Sequence, residues 1–138
     1  MVNALEYQID SFVKRFNSQK KGLAWKNHPN RLHDGKYVAG EPFDYIFITK
    51  HKTFCFDAKQ TIQDHWQVKQ KDIKQAKNLL VLENIGIDAF FLIYFFKFKN
   101  YRKLKASKFF EINKKTIKFE KMEEFKFDAE VKKCLENF

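Results

Sequence analysis

Residues 43–59 read FDYIFITKHKTFCFDAK, which is two runs of aromatic and β-branched residues on either side of Lys50, His51 and Lys52. Aromatic and β-branched side chains are enriched in β-strands, and a short polar break between two such runs is typical of a turn. The segment therefore predicts a β-hairpin whose strands cover residues 43–49 and 53–58.

Both strands of this hairpin are apolar on both faces. Successive side chains of a strand point to opposite sides of a sheet. Alternation separates Phe43, Tyr45 and Phe47 from Asp44, Ile46 and Ile48, and it separates Phe54, Phe56 and Ala58 from Cys55, Asp57 and Lys59. A sheet that is apolar on both sides needs a covering layer on each side. The pattern therefore predicts an α/β fold with a central sheet and helices on both of its faces.

Two amphipathic helices are predicted, one before and one after the hairpin. Apolar residues spaced by three and four positions define one face of a helix. In residues 2–16 this spacing is formed by Val2, Leu5, Ile9, Phe12, Val13 and Phe16. In residues 69–83 it is formed by Ile73, Ala76, Leu79 and Leu80. The following Asn84 and Gly86 favour the end of the second helix.

The remaining segments complete one domain. Residues 23–25 predict a short strand, residues 28–40 an exposed loop, and residues 87–96, the most apolar stretch, a central strand. The element order is α-β-β-β-α-β. Beyond Lys97 the pattern weakens, and a terminal helix is predicted after Asp128. We expect a single domain over residues 1–138, with a core at about 2–97 and a C-terminal extension at 98–138.

The net charge points to a polyanionic partner. The chain has 27 Lys and Arg residues against 17 Asp and Glu residues, which gives a formal charge of +10. A protein with such an excess commonly binds nucleic acid. Because a composition rich in Lys and Phe can also reflect biased codon usage, the partner has to be argued from a site.

Other locations and other kinds of site are less compatible with the sequence. The longest apolar run, residues 87–96, contains Asp88 and is far shorter than the ~20 residues of a spanning helix. Glu6 and Asp10 interrupt the first segment, so no export signal is predicted and we expect a cytoplasmic protein. Cys55 and Cys134 lack metal-ligand spacing, which predicts two free thiols.

Asp44, Asp57 and Lys59 combine two carboxylates and an amine on adjacent predicted strands. Acids inside apolar strands carry a desolvation cost that the fold does not require, which indicates a function or a metal. Mg²⁺ prefers carboxylate and carbonyl oxygens, so two Asp side chains and a backbone carbonyl can bind it beside a phosphate. Lys59 can then orient a water or offset charge during phosphodiester hydrolysis. Glu6 on the first helix can add a ligand.

The two acids can share a metal only if their carboxylates project from the same face of the sheet. In an antiparallel pair, residues directly opposite each other share a face. A two-residue turn sets Asp44 opposite Asp57, and an even shift keeps them on one face. A three-residue turn centred on His51 pairs Asp44 with Ala58 instead. We predict the convergent register, with the site residues beneath the first helix and Glu6 approaching from above.

Short motifs occur in a fixed order along the chain. They are LE at 5–6, LAWKNHP at 23–29, FDY at 43–45, FDAKQT at 56–61, WQV at 66–68 and GIDAF at 86–90. The FDAKQT segment resembles the F-E-A-K-x-T motif of the RecU family of Holliday-junction resolvases, and FDY is similar to its V-D-Y segment. The resemblance extends over about residues 5–96.

The resemblance implies a PD-(D/E)xK nuclease with a restriction-endonuclease-like core and a mixed central sheet. It implies a Mg²⁺-dependent homodimer that cleaves branched DNA in recombination or repair, and Mn²⁺ is expected to substitute for Mg²⁺. The catalytic residues map to Asp44, Asp57, Lys59, Glu6 and Gln75. The metal ligands map to Asp44, Asp57 and Glu6. Asp57 stands where the family usually has Glu.

Basic and aromatic residues elsewhere are candidates for DNA contact. The predicted nucleic-acid-binding residues are Lys97, Lys99, Arg102, Lys103, Trp66 and Lys26. Lys and Arg contact phosphates, and an accessible Trp can stack on an unpaired base. The phenylalanines of the predicted strands are interpreted as core. The four histidines lack ligand spacing and are interpreted as loop or DNA-facing residues.

Two other functions stay open at the level of sequence. One is a less selective or restriction-like DNA nuclease of the same superfamily. The other is a non-catalytic DNA-binding module whose acids are structural. Cleavage of a four-way junction and of a linear duplex, with Mg²⁺ or EDTA, separates the three hypotheses.

Overall fold

A computed structural model describes residues 4–27 and 43–130 of the chain. Its helices are α1 (Ala4–Ser18), α2 (Gln70–Asn84), α3 (Ala106–Ile112) and a 3₁₀ turn at Phe119–Lys121. Its strands are β1 (Gly22–Lys26), β2 (Tyr45–Thr49), β3 (Thr53–Thr61), β4 (His65–Gln67), β5 (Asp88–Phe95), β6 (Asn100–Lys105), β7 (Thr116–Lys118) and β8 (Glu123–Phe125). Every helix and strand predicted before residue 97 is present.

Some sequence predictions concern residues outside the described ranges. The loop predicted at residues 28–40 lies outside them, as do Val2 and Cys134. Residues 127–130 are helical, which confirms the start of the predicted terminal helix, and the rest of that prediction falls outside the described residues. Cys55, by contrast, is confirmed as a free thiol, and it is fully buried. Burial raises the pKa of this thiol to about 12, so it is unreactive at neutral pH. Within the described ranges, no helix has the length and apolar character needed to cross a membrane.

The described strands form a mixed six-stranded sheet in the order β1-β2-β3-β5-β6-β8. The β3–β5 pair is parallel, and the other neighbouring pairs of this sheet are antiparallel. The helix α2 connects the parallel strands, because a parallel pair cannot be joined by a tight turn. The predicted mixed central sheet is therefore confirmed. The short strands β4 and β7 pair separately.

The hairpin of β2 and β3 closes through a two-residue turn. Tyr45 pairs with Phe56 and Ile48 with Thr53. At the turn, the Thr49 backbone N–H donates to the Lys52 carbonyl at 2.9 Å. The Thr49 hydroxyl also donates to that carbonyl, at 2.8 Å. This local network fixes the turn, and the predicted convergent register is confirmed.

The sheet has a separate apolar core on each face. One core joins α1 to Tyr45, Phe47, Phe54, Phe56, Phe90 and Leu92. The other core joins α2 and α3 to Cys55, Ala89, Phe91, Ile93, Phe95 and Leu104. Burial of these side chains supplies the main driving force for folding. Helices on both faces are therefore confirmed.

Residues beyond Lys97 extend the same sheet. The strands β6 and β8 add to its far edge, next to β5. Phe125 and Phe127 are buried in the core beneath α1, where the rings of Phe127 and Phe12 stack with centroids 4.5 Å apart. The sequence pattern of this region was too short and irregular to predict either strand.

Candidate active site

Asp44 and Asp57 meet on one face of the sheet, at the start of β2. The register that pairs Tyr45 with Phe56 places Asp44 next to Asp57. The Asp44 backbone N–H donates to the Phe56 carbonyl at 2.9 Å, directly before the first residue of β2. The Asp44 Oδ2 atom accepts a hydrogen bond from the Ala58 backbone N–H at 2.9 Å. The backbone of β3 therefore fixes the direction of the Asp44 carboxylate.

The closeness of the two carboxylates changes the protonation of Asp44. Burial, followed by the charge of Asp57 and a hydrogen bond with it, raises the pKa of Asp44 to about 7. The Ala58 N–H and Lys59 oppose this shift. Two carboxylates in contact and partly removed from water repel each other unless a proton or a cation lies between them. The pair is therefore suited to bind a cation.

The donor set fits a hard divalent cation. Within residues 4–27 and 43–130, no group of three or more His, Cys, Asp and Glu side chains could hold a metal ion. A metal at this site would use Asp44 and Asp57 together with backbone carbonyl, water or phosphate oxygens. Mg²⁺ is commonly bound in this way, through one or two carboxylates and several waters.

Lys59 lies beside the acid pair on the same face. Its Nζ atom is 2.9 Å from Asp57 Oδ2 and 2.9 Å from Asp72 Oδ1. Burial by itself lowers the pKa of Lys59, but the two carboxylates outweigh burial and raise it above its ordinary value. The side chain is therefore a fixed cation at neutral pH, suited to donate hydrogen bonds to an anion.

Asp72 is a member of this cluster that the sequence reasoning missed. It lies in the first turn of α2 and is 2% exposed. Its Oδ2 atom accepts a hydrogen bond from the Lys69 backbone N–H at 2.8 Å. A signal was present in the sequence, because Asp72 shares the buried helix face with Ala76 and Leu79, where an acid is unusual.

The prediction that α1 covers the site is wrong. Asp57 and Lys59 pair with Phe91 and Ile93 of β5, whose side chains lie in the core beneath α2 and α3. The first helix packs on the opposite face, against Tyr45 and Phe56. Since both faces of the hairpin are apolar, the alternation of residues did not indicate which helix lies over the acids.

Glu6 lies on the α1 side of the sheet. Its Oε2 atom is 3.4 Å from Lys26 Nζ, at the end of β1. Lys26 pairs with Tyr45, the residue after Asp44, so Glu6 lies at the same end of the sheet as the acid pair. Its role as a metal ligand stays a prediction. The same holds for Gln75, which is partly buried on α2, one turn after Asp72.

Three predicted DNA-contacting residues have structural roles instead. Trp66 is 5% exposed and its ring packs 4.9 Å from that of Phe91, so no base can stack on it. Lys103 is buried, with Nζ 2.6 Å from Asp88 Oδ2. The Arg102 guanidinium lies 3.8 Å above the Phe119 ring and donates to the Met122 carbonyl at 3.1 Å. Periodicity alone did not show that these side chains point inward.

Lys97 and Lys99 remain compatible with DNA contact. Both are exposed in the turn after β5. This turn lies beside the end of β3, because the Phe96 N–H donates to the Thr61 carbonyl at 3.0 Å. The two lysines thus lie near Thr61, at the end of β3 and two residues beyond Lys59.

A comparison with protein families relates this chain to known proteins. The family model described as Recombination protein U, RecU, matches residues 4–136. The chain belongs to the RecU family. Membership of this family of Holliday-junction resolvases makes the chain a nuclease that acts in DNA recombination. A comparison with curated protein sequences finds no match.

A solved structure shares the fold of this RecU-family chain. It is the 1.6 Å structure of Hjc, a Holliday junction resolvase from the archaeal hyperthermophile Archaeoglobus fulgidus. The TM-score is 0.59 at 13% sequence identity, over 93% of this chain and 98% of Hjc. The similarity confirms that the sheet and helices form a resolvase nuclease fold.

Proposed function

We propose that this chain is a Mg²⁺-dependent endodeoxyribonuclease that cleaves four-way DNA junctions by phosphodiester hydrolysis at Asp44, Asp57 and Lys59. The proposal is supported above all by the contact between the carboxyl groups of Asp44 and Asp57, with Lys59 Nζ 2.9 Å from Asp57. Acid pairs in apolar strands are costly, and a metal-dependent reaction explains the cost. Membership of the RecU family supplies the substrate class.

Asp44 and Asp57 are assigned to metal binding. The Ala58 N–H donates to Oδ2 of Asp44, whose carboxyl group also contacts Asp57. Both carboxylates must be ionised to bind a cation, and the raised pKa of Asp44 makes this depend on pH near neutrality. A bound Mg²⁺ would supply Lewis-acid activation of a phosphoryl oxygen and of the attacking water.

Lys59 is assigned to charge stabilisation. Its ammonium lies beside the proposed metal ligands and is partly exposed, so it can donate to a phosphate oxygen that gains charge in the transition state. A lysine whose pKa is raised by two carboxylates is a poor general base at neutral pH. We therefore assign Lys59 the role of hydrogen-bond donor rather than of proton acceptor.

Glu6 and Gln75 are proposed as supporting residues. Glu6 lies at the same end of the sheet as Asp44 and would act on the metal through water. Gln75 follows Asp72 on the helix that lies over the site. Lys26, Lys97 and Lys99 are proposed to contact the phosphate backbone around the cleavage site.

We further propose that the protein acts as a homodimer in the cytoplasm. A four-way junction presents two equivalent strands, and paired incisions require two active sites related by a two-fold axis. Sedimentation equilibrium of the protein alone and with a junction tests the dimer. A monomer in both samples would contradict it.

The function is tested by cleavage of a synthetic four-way junction and a linear duplex of matching sequence, each in Mg²⁺, Mn²⁺ and EDTA. The proposal predicts metal-dependent cleavage of the junction alone. Equal cleavage of both substrates would support a less selective nuclease. Binding without cleavage in either metal would indicate a non-catalytic module.

A further inference from the structure

Asp72 is a buried carboxylate to which the proposed function assigns no task. An acid in the first turn of a helix interacts favourably with the helix terminus even when it is exposed. Asp72 is nevertheless 2% exposed. Because burial of a carboxylate is costly unless it is paired and hydrogen-bonded, its partners indicate why a charge is needed there.

The two oxygens of Asp72 contact different groups. Oδ2 accepts the Lys69 backbone N–H at 2.8 Å, directly before the start of α2. Oδ1 lies 2.9 Å from Lys59 Nζ. The backbone hydrogen bond fixes the carboxylate on the helix, and the fixed carboxylate then presents its second oxygen to Lys59.

The contact with Asp72 differs in kind from the contact with Asp57. Asp57 is a proposed metal ligand, so its oxygens are shared between the cation and Lys59. Asp72 lies on α2 and is not a proposed metal ligand, so its contact with Lys59 is not shared with the cation. Lys59 and Asp72 also line a surface cleft together with Gln60, Thr61 and Lys71. The ammonium is thus fixed at a place that a substrate can reach.

We propose that Asp72 is the positioning residue for Lys59 and keeps its ammonium beside Asp57 during phosphodiester cleavage. This inference rests on the proposed function of Lys59. Asp72 itself contacts neither the proposed metal ligands nor the substrate in this scheme. Its effect comes from the precision with which a reacting group is placed, since a displacement of about 1 Å can cost roughly 10²-fold in rate.

Asp72→Asn separates the two roles of the side chain. The asparagine oxygen can still accept the Lys69 N–H, but its amide NH₂ group is then a donor that faces the Lys59 ammonium. Helix capping is therefore retained while the contact with Lys59 is lost. We expect the single-turnover cleavage rate to be lower by roughly 10- to 100-fold, which is the usual effect of removing a residue that orients a metal ligand through a hydrogen bond. Junction affinity in EDTA should not decrease.

A double-mutant cycle distinguishes positioning from a structural effect. If Asp72 acts through Lys59, Lys59→Met alone and Lys59→Met with Asp72→Asn should cleave at equal rates. Independent, multiplicative losses in rate would overturn the proposal. Asp64→Asn removes an exposed negative charge and is the matched control, which should cleave at the wild-type rate. Thermal unfolding of each variant reports any loss of folding.

Chemical labelling tests the contact without cleavage. An amine that is enclosed by two carboxylates is shielded from an acylating reagent. Labelling of Lys59, measured by mass spectrometry, should increase in Asp72→Asn, whereas labelling of the exposed Lys77 should not change. Unchanged Lys59 labelling would overturn the proposal. If the wild-type protein cleaves no DNA, the proposed function fails, and the labelling still decides whether Asp72 positions Lys59.

Discussion

The Asp44 carboxyl group, directly before β2, contacts that of Asp57 on β3 and accepts the N–H of Ala58 on the same neighbouring strand. One strand register therefore creates the acid pair and orients it. The turn that sets this register is closed by Thr49 and Lys52, at the far end of the hairpin from the acids. The site depends on the length of that turn as much as on the acids themselves.

Asp57→Asn should abolish cleavage while preserving the fold and junction binding. The substitution removes a proposed metal ligand and leaves the shape of the side chain nearly unchanged. Binding of the junction should be equal or tighter, because one negative charge near the phosphates is lost. Cleavage and gel-shift measurements on the same preparation check both effects. Wild-type cleavage in Mg²⁺ would place the active site elsewhere.

Lys59→Ala should slow the chemical step and leave metal binding largely intact. Loss of a donor that stabilises transition-state charge costs on the order of 10²-fold in rate or more. Single-turnover kinetics measure this step. Repeating them over a range of Mn²⁺ concentrations separates the rate of the chemical step from the affinity for the metal. Lys77→Ala, on the exposed side of α2, is the control. An unchanged rate for Lys59→Ala would remove this residue from the mechanism.

The stability of the metal-free protein should decrease between about pH 4 and pH 7 because of Asp44. Its folded-state pKa of about 7 lies above the ordinary value of 3.8. Over this interval the folded protein keeps a proton that the unfolded chain has lost, so rising pH favours unfolding. Asp44→Asn should flatten this part of the profile of melting temperature against pH.

Added Mn²⁺ or Mg²⁺ should raise the melting temperature more at pH 8 than at pH 6. A cation competes with the proton on Asp44, so its apparent affinity increases as that proton is lost. Calorimetry at both pH values tests this, with Asp44→Asn as the variant that loses the effect. A metal-induced shift that is equal at both pH values would argue against binding at the acid pair.

Trp66→Ala should affect the stability of the fold, whereas replacing both Lys97 and Lys99 by Ala should affect DNA binding. Trp66 is buried, so its truncation should destabilise the fold by about 3 kcal/mol or more and leave the salt dependence of DNA binding unchanged. The exposed lysines should leave stability unchanged, weaken DNA binding and reduce its salt dependence. Chemical denaturation and binding at several salt concentrations measure the two effects. Loss of the salt dependence on truncating Trp66 would contradict this assignment.

The hairpin, the order of the elements and the identity of the acid pair could all be predicted from the sequence. These features depend on local patterns. Alternation in residues 43–59 identifies strands, and the three polar residues between them mark the turn. Spacing by three and four residues likewise identified α1 and α2. Two acids within apolar strands were conspicuous because their desolvation cost has no structural purpose.

Which helix covers the site, and which basic residues face inward, depends on long-range contacts and could not be predicted from local patterns. A sheet that is apolar on both faces accepts a helix on either, so the alternation of residues around Asp57 could not assign the acids to the side of α2. Lys103 and Asp88 come from different strands, and their pairing exists only once β5 and β6 are adjacent. Asp72 was missed for the same reason, because its contact with Lys59 joins α2 to a residue of β3 that lies thirteen positions earlier in the chain. Long-range contacts of this kind have no local pattern from which they could be read.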